Sequence, residues 1–143
     1  MYMVRDSGWI QFNAFSPQEA YDLNLVAFKV SEAHNVRTPA IVNQDGFMTS
    51  HTAQGVHTLT DDVAFNFVGE YKPMNDMLDF EHPTTHGVQA EEDWHFEHKA
   101  RQHKDIMTEV PAKIDEAFAD FEKLSGRKYN QVEKYLMDDA QVA

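Results

Sequence analysis

Asn43-Gln-Asp-Gly-Phe-Met-Thr-Ser-His-Thr52 follows the apolar run Pro39-Ala-Ile-Val42, and reading the pair as strand and loop decides the fold class. An apolar run this short, closed by turn residues, reads as a buried strand. Asp45-Gly46 is a turn dipeptide, because glycine tolerates positive φ and aspartate hydrogen-bonds its own turn. Beyond it come Phe47 and three side chains able to exchange protons or hydrogen bonds, Thr49, Ser50 and His51. In open α/β sheets, ligands sit beyond the carboxyl ends of the strands. Asp45, Gly46, Phe47, Thr49, Ser50 and His51 are therefore the expected functional edge, a loop near a cofactor or an interface.

Working outward, Trp9-Ile-Gln-Phe-Asn-Ala-Phe15 alternates as a strand, with Ile10, Phe12 and Ala14 on one side. Ser16-Pro17-Gln18-Glu19 is a capping box with proline at the first helical position. The helix it opens should run to about His34, its stripe of Ala20, Leu23, Ala27 and Val30, with Val26 beside it, facing a core. Strand, helix and strand make a βαβ unit with parallel strands.

Downstream, Thr60 is the expected N-cap of a second helix with Asp61 and Asp62 in its first turn, and Val63, Phe67, Val68 and Tyr71 as its apolar face. Pro73, Pro83 and Gly87 punctuate a polar loop over 72–91. A polar helix is expected from Glu91 to Thr108, with Trp94 and Phe96 packing the loop and His103 partly buried. After Pro111 a separate amphipathic helix follows, carrying Ile114, Ala117, Phe118, Phe121 and Leu124 and ending at Gly126. That helix is expected to close the core or dock a neighbouring domain. Asp138-Asp139 reads as a turn and Ala140-Gln-Val-Ala143 as the start of a strand.

Composition excludes several classes of function. A chain of 143 residues is one domain's worth. Its net charge of −12 opposes binding to nucleic acid, to an anionic membrane, or to an acidic electron carrier. No apolar run approaches a membrane span. The absence of cysteine rules out disulfides and thiolate ligation of an iron–sulfur cluster by this segment. Met1-Tyr-Met-Val-Arg-Asp6 lacks the features of a signal peptide, so the cytoplasm is the expected compartment.

Arg5-Asp-Ser-Gly-Trp-Ile-Gln11, Pro17-Gln-Glu-Ala20 and Asp45-Gly-Phe-Met-Thr-Ser-His51, in that order and spacing, resemble the pyruvate:ferredoxin (or flavodoxin) oxidoreductases. Glu97-His-Lys-Ala-Arg-Gln-His103 and Gly126-Arg-Lys-Tyr129 extend the likeness over nearly the whole chain. The resemblance implies the alpha subunit, with residues 1–71 as the C-terminal part of its pyrimidine-binding thiamine diphosphate domain. Residues 72–137 would be a loop and helical linker, and 138–143 the start of a transketolase-C-like domain. The fold expected is α/β, part of a thiamine-diphosphate-binding-type parallel sheet with flanking helices.

In that family, thiamine diphosphate with Mg²⁺ decarboxylates a 2-oxo acid, electrons pass to [4Fe–4S] clusters and then to ferredoxin or flavodoxin, and coenzyme A takes the acyl group. The resemblance places the catalytic glutamate and the substrate-carboxylate ligands before this segment. No catalytic residue is expected here, and the chain alone should be inactive. The motif Asp45–His51 favours pyruvate as substrate. Other subunits of the oxidoreductase are the expected partners, in an oligomer. Two strands are also too few for a doubly wound sheet, whose usual size is about 5–6 strands, so the segment is expected to be incomplete.

Three other readings compete. Asp45, Ser50 and His51 have the residue types of a hydrolase triad, although sequence neighbours seldom converge. His95, His98 and His103 on a helix could ligate a metal, making the chain a small metal-binding protein. An acidic, homodimerising interaction domain would hide its open sheet edge against a second copy.

Overall fold

In a computed structural model of the 143-residue chain, residues 1–85 and 91–142 are described, apart from the side chains of residues 105 and 106. The sequence predictions over residues 86–90 and at residue 143 lie outside them. After a 3₁₀ turn, Tyr2–Val4, come strand β1 (Ile10–Ala14), helix α1 (Pro17–Ser31), strand β2 (Ala40–Gln44), helix α2 (Asp61–Val68) and helix α3 (Glu92–Ser125). β1 and β2 pair in parallel, from Ile10 opposite Ala40 to Ala14 opposite Gln44, so the α/β reading holds.

The alternation in β1 works as the sequence implies. Ile10, Phe12 and Ala14 are buried, whereas none of Gln11, Asn13, Ile41 and Asn43, on the reverse face of the sheet, is fully buried. α1 is the central element, packing against both strands and both other helices. Its stripe of Leu23, Val26, Ala27 and Val30 meets Phe67 of α2 and Val110, Ala117, Phe118 and Phe121 of α3 in one cluster. Phe67 lies edge-on to Phe121, ring centres 5.3 Å apart, a favoured aromatic geometry.

The capping box forms with one change. Ser16 Oγ accepts from the Glu19 amide at 3.2 Å, but the Glu19 carboxylate accepts from the amide of Phe15, one residue earlier than in the standard box. α1 stops at Ser31 rather than His34; a turn closed by Val36 N–H on the Ala33 carbonyl then buries Val36. Thr60 caps α2 by position, although its hydroxyl makes no capping bond. Because α2 ends at Gly69 (φ +83°), Tyr71 leaves the expected apolar face, on which Phe67 is buried and Val68 partly so.

The largest correction concerns Pro111. Two helices were expected, yet α3 runs through the proline for 34 residues, a length of about 51 Å at 1.5 Å per residue. Proline removes one helical N–H and crowds the preceding turn, but tertiary contacts hold both halves. Val110 and the residues after it pack into the core, while on the other side Lys99 Nζ donates to the Asp6 carbonyl at 3.2 Å. Trp94, Phe96 and His103 are exposed rather than packed, because this half of α3 stands largely clear of the core. Residues 138–139 form the expected turn, but no strand follows among described residues; β1 and β2 pair only with each other.

Candidate functional site

Parallel pairing puts the carboxyl ends of β1 and β2 side by side, with Asn43 Nδ2 donating to Asn13 Oδ1 at 3.1 Å between them. This edge therefore carries Phe15, the amino end of α1 and the loop from Asp45 to Thr52. The loop is a single helical turn built on Asp45. One carboxylate oxygen accepts from the amide of Phe47 at 2.9 Å and from that of Met48, and the other accepts from the Thr49 amide at 2.7 Å. The turn closes through His51 N–H on the Phe47 carbonyl and Thr52 Oγ1 on the Met48 carbonyl.

These donors hold the Asp45 carboxyl at about 2, below its ordinary value. The Thr49 hydroxyl contributes most, then the Phe47 amide, with the Thr49 and Met48 amides adding less. Thr49 is 4% exposed and its hydroxyl closes no hydrogen bond of full geometry, so its pull on the carboxylate acts as a nearby dipole. Gly46 does not adopt positive φ and has open space where a Cβ would stand. The turn thus depends on the aspartate as a cap, and the glycine's freedom is unused.

The six predicted residues lie in one turn but do different work. Asp45 and Thr49 are structural. Phe47 and Met48 face outward, 74% and 71% exposed. His51 stacks on Phe47, ring centres 5.8 Å apart, and its Nδ1 lies 2.6 Å from Ser50 Oγ. No triad results: His51 Nδ1 meets Ser50 Oγ, but both Asp45 oxygens are taken by backbone amides of the turn.

Backbone amides and helix amino ends attract phosphates, and both such features at this edge are already occupied by the chain's own groups. Ser16 and Glu19 fill the amino end of α1, and Asp45 fills the loop. These residues do not fit the diphosphate of a thiamine cofactor. What the edge offers is an apolar rim, Phe15, Phe47 and Met48, beside a Ser50–His51 pair.

His95, His98 and His103 do not assemble into a metal site, since no group of three histidine or carboxylate side chains converges among the described residues. His98 lines one cleft and His103 another, the latter with Arg5, Trp9 and Met107.

Asp22, absent from the predicted set, is the hub of a polar network inside the core. It is 0% exposed and receives Arg127 Nε at 2.6 Å, Arg127 Nη2 at 2.9 Å, Tyr129 Oη at 2.6 Å and Gln18 Nε2 at 3.0 Å. Gln18 also pairs with both backbone groups of His57, so α1, the segment before α2 and the segment after α3 are tied at one point. The Tyr129 hydroxyl is pushed up, by burial first and by the Asp22 carboxylate next. An aspartate four and eight residues before Val26 and Val30 on the core-facing stripe, with arginine and tyrosine downstream, was the available signal.

A family model described as pyruvate flavodoxin/ferredoxin oxidoreductase, thiamine diphosphate-binding, matches residues 1–119. Pyruvate synthase subunit PorA of Thermotoga maritima is 46% identical over 96% of the chain and 35% of its own length. The Pyrococcus horikoshii subunit of the same name is 44% identical with the same coverage. Ketoisovalerate oxidoreductase subunit VorA of Pyrococcus abyssi is 36% identical over 95% of the chain and 34% of its own length. The chain spans about a third of the length of these relatives. The order of motifs from Arg5 to Tyr129, the parallel β1–α1–β2 unit and these matches place the chain in the pyruvate flavodoxin/ferredoxin oxidoreductase family, within its thiamine diphosphate-binding part.

Proposed function

We propose that this chain is a structural part of a 2-oxo acid:ferredoxin oxidoreductase acting on pyruvate, completing the thiamine diphosphate domain and contacting neighbouring subunits. The observation that carries the reading is the two-stranded parallel sheet with an apolar rim at its carboxyl edge, where Asp45, Ser16 and Glu19 already occupy the backbone donors. In the assembled enzyme, thiamine diphosphate, Mg²⁺ and [4Fe–4S] clusters would be held by other parts and would supply the decarboxylation and electron-transfer chemistry. Pyruvate and coenzyme A would be the substrates, and ferredoxin or flavodoxin the electron acceptor, in the cytoplasm. This chain's contribution is to present Phe47, Met48 and the Ser50–His51 pair to that neighbouring surface.

Pyruvate is favoured over 2-oxoglutarate because the loop motif Asp45–His51 resembles the pyruvate enzymes more than the 2-oxoglutarate ones. Residues 1–71 are assigned to the cofactor domain, 72–137 to the linker and 138–143 to the start of the next domain.

Co-purification tests this reading. The tagged chain, expressed beside the remaining subunits, should recover cysteine-rich partner polypeptides that carry thiamine diphosphate. Phe47→Asp with Met48→Asp should weaken that recovery while leaving the circular dichroism of the chain intact. Recovery of a self-dimer alone would favour the interaction-domain alternative and overturn the assignment.

A further inference from the structure

The half of α3 before Pro111 stands clear of the core, yet it is fixed in place at the amino ends of the strands. Lys99 Nζ donates to the Asp6 carbonyl at 3.2 Å and Gln102 Nε2 to the Ser7 carbonyl at 3.5 Å, just before β1. Gly8, at φ +88°, leaves room for this contact, because a Cβ there would run into the Gln102 amide. The helix therefore turns one face to residues 6–8 and the opposite face to solvent.

Helical spacing puts Asp93, Phe96, Glu97, Ala100, Lys104 and Met107 on the outward side. All six are exposed, Phe96 at 81% and Met107 at 66%. Phe96, Ala100 and Met107, spaced by four and seven residues, form a short apolar stripe. The charges beside it are polarised, with carboxylates at 93 and 97 and an ammonium at 104. The helix macrodipole accounts for Asp93, in the first turn, but it fades within a turn of the helix end and does not reach Glu97 or Lys104. Among the described residues neither forms a salt bridge, and Lys104 has Ala100 and Thr108 where an i,i+4 carboxylate would stand.

We propose that this face is a self-association surface, on which α3 pairs antiparallel with the same helix of a second copy about a two-fold axis at Ala100. Reversal makes the face complementary to itself: Glu97 of each copy meets Lys104 of the other, twice by symmetry. A parallel pair would instead set like charges against each other. Ala100, a small residue at the crossing, lets the two helices approach closely, and Phe96 lies along the aliphatic stem of the facing lysine. The contact is distinct from the one proposed for the Asp45 rim, which lies beyond the other ends of the strands, so the two associations occur together.

Sedimentation equilibrium of the full chain at low ionic strength should show a monomer–dimer equilibrium. Glu97→Lys and Lys104→Glu, each alone, should weaken dimerisation at least about tenfold, since two attractions become two repulsions. Mixed in equal amounts, the two variants should recover a dimer with one copy of each, because opposite charges then face again. Circular dichroism should stay unchanged in both, their side chains being exposed. The proposal is overturned by a monomer at every concentration, or by a mixture that pairs no better than either variant alone. A dimer indifferent to both reversals would also overturn it, and would point to the open sheet edge instead. Recovery of partner subunits should be the same in both variants, so this proposal and the subunit assignment fail separately.

Discussion

Asp22 and Asp45 are both aspartates bound by several donors, and their surroundings give them opposite energetic roles. Asp22 is fully withdrawn from water and bridged to Arg127 and Tyr129. Removing one partner of a buried pair strands the other, so Asp22→Ala should cost about 3–5 kcal/mol in urea unfolding. Tyr129→Phe, which loses a single neutral donor, should cost about 1 kcal/mol. Their double variant should lose less than the sum, because the two share one acceptor.

Asp45 is exposed, and its carboxyl is held below its ordinary value. A lowered carboxyl stabilises the folded turn above the unfolded value of about 3.9 and loses that contribution as pH falls toward 2. Amide hydrogen exchange at Phe47 and Thr49 should therefore show protection at pH 5 that fades between about pH 4 and 2. In Asp45→Ala that protection should be absent at every pH. The Asp45–His51 turn was legible in the sequence as a loop at the carboxyl end of a strand. Its internal roles were not, because an aspartate that caps a turn and one that faces a ligand look alike before the amides are located.

At the scale of elements, β1 and α1 were readable because local signals agree. Alternation buries Ile10, Phe12 and Ala14, and Ser16 caps the helix whose stripe meets them. α3 was not readable as one helix. Pro111 is a genuine local breaker, and only packing on both sides of it restores continuity, which no window of sequence contains. Gly46 and Gly126 show the same limit: each follows a turn signal, but only Gly126 has positive φ, at +70°. Thermal or urea unfolding of Gly126→Ala should show a loss of about 1 kcal/mol, with Gly46→Ala near neutral. Phe121→Ala, at the junction of α1, α2 and α3, should cost about 3–5 kcal/mol in the same measurement.

For the whole molecule, the fold is a single layer of two parallel strands with its helices gathered around α1. The chain covers about a third of the length of the relatives it matches. The polar knot at Asp22 joins three segments far apart in sequence and adds to the apolar cluster around α1. It stayed hidden because a buried aspartate is recognised only by the partners that fold onto it. The family was visible earlier than the architecture, because ordered motifs carry the ancestry of segments whose contacts are long-range.

On the proposed function, this chain shapes part of a thiamine site without holding the cofactor alone. Calorimetric titration of thiamine diphosphate with Mg²⁺ tests it most directly, first into the isolated chain and then into the subunit assembled with its partners. The chain alone should give no saturable heat and the assembly stoichiometric binding; tight stoichiometric binding by the isolated chain would overturn the proposed function.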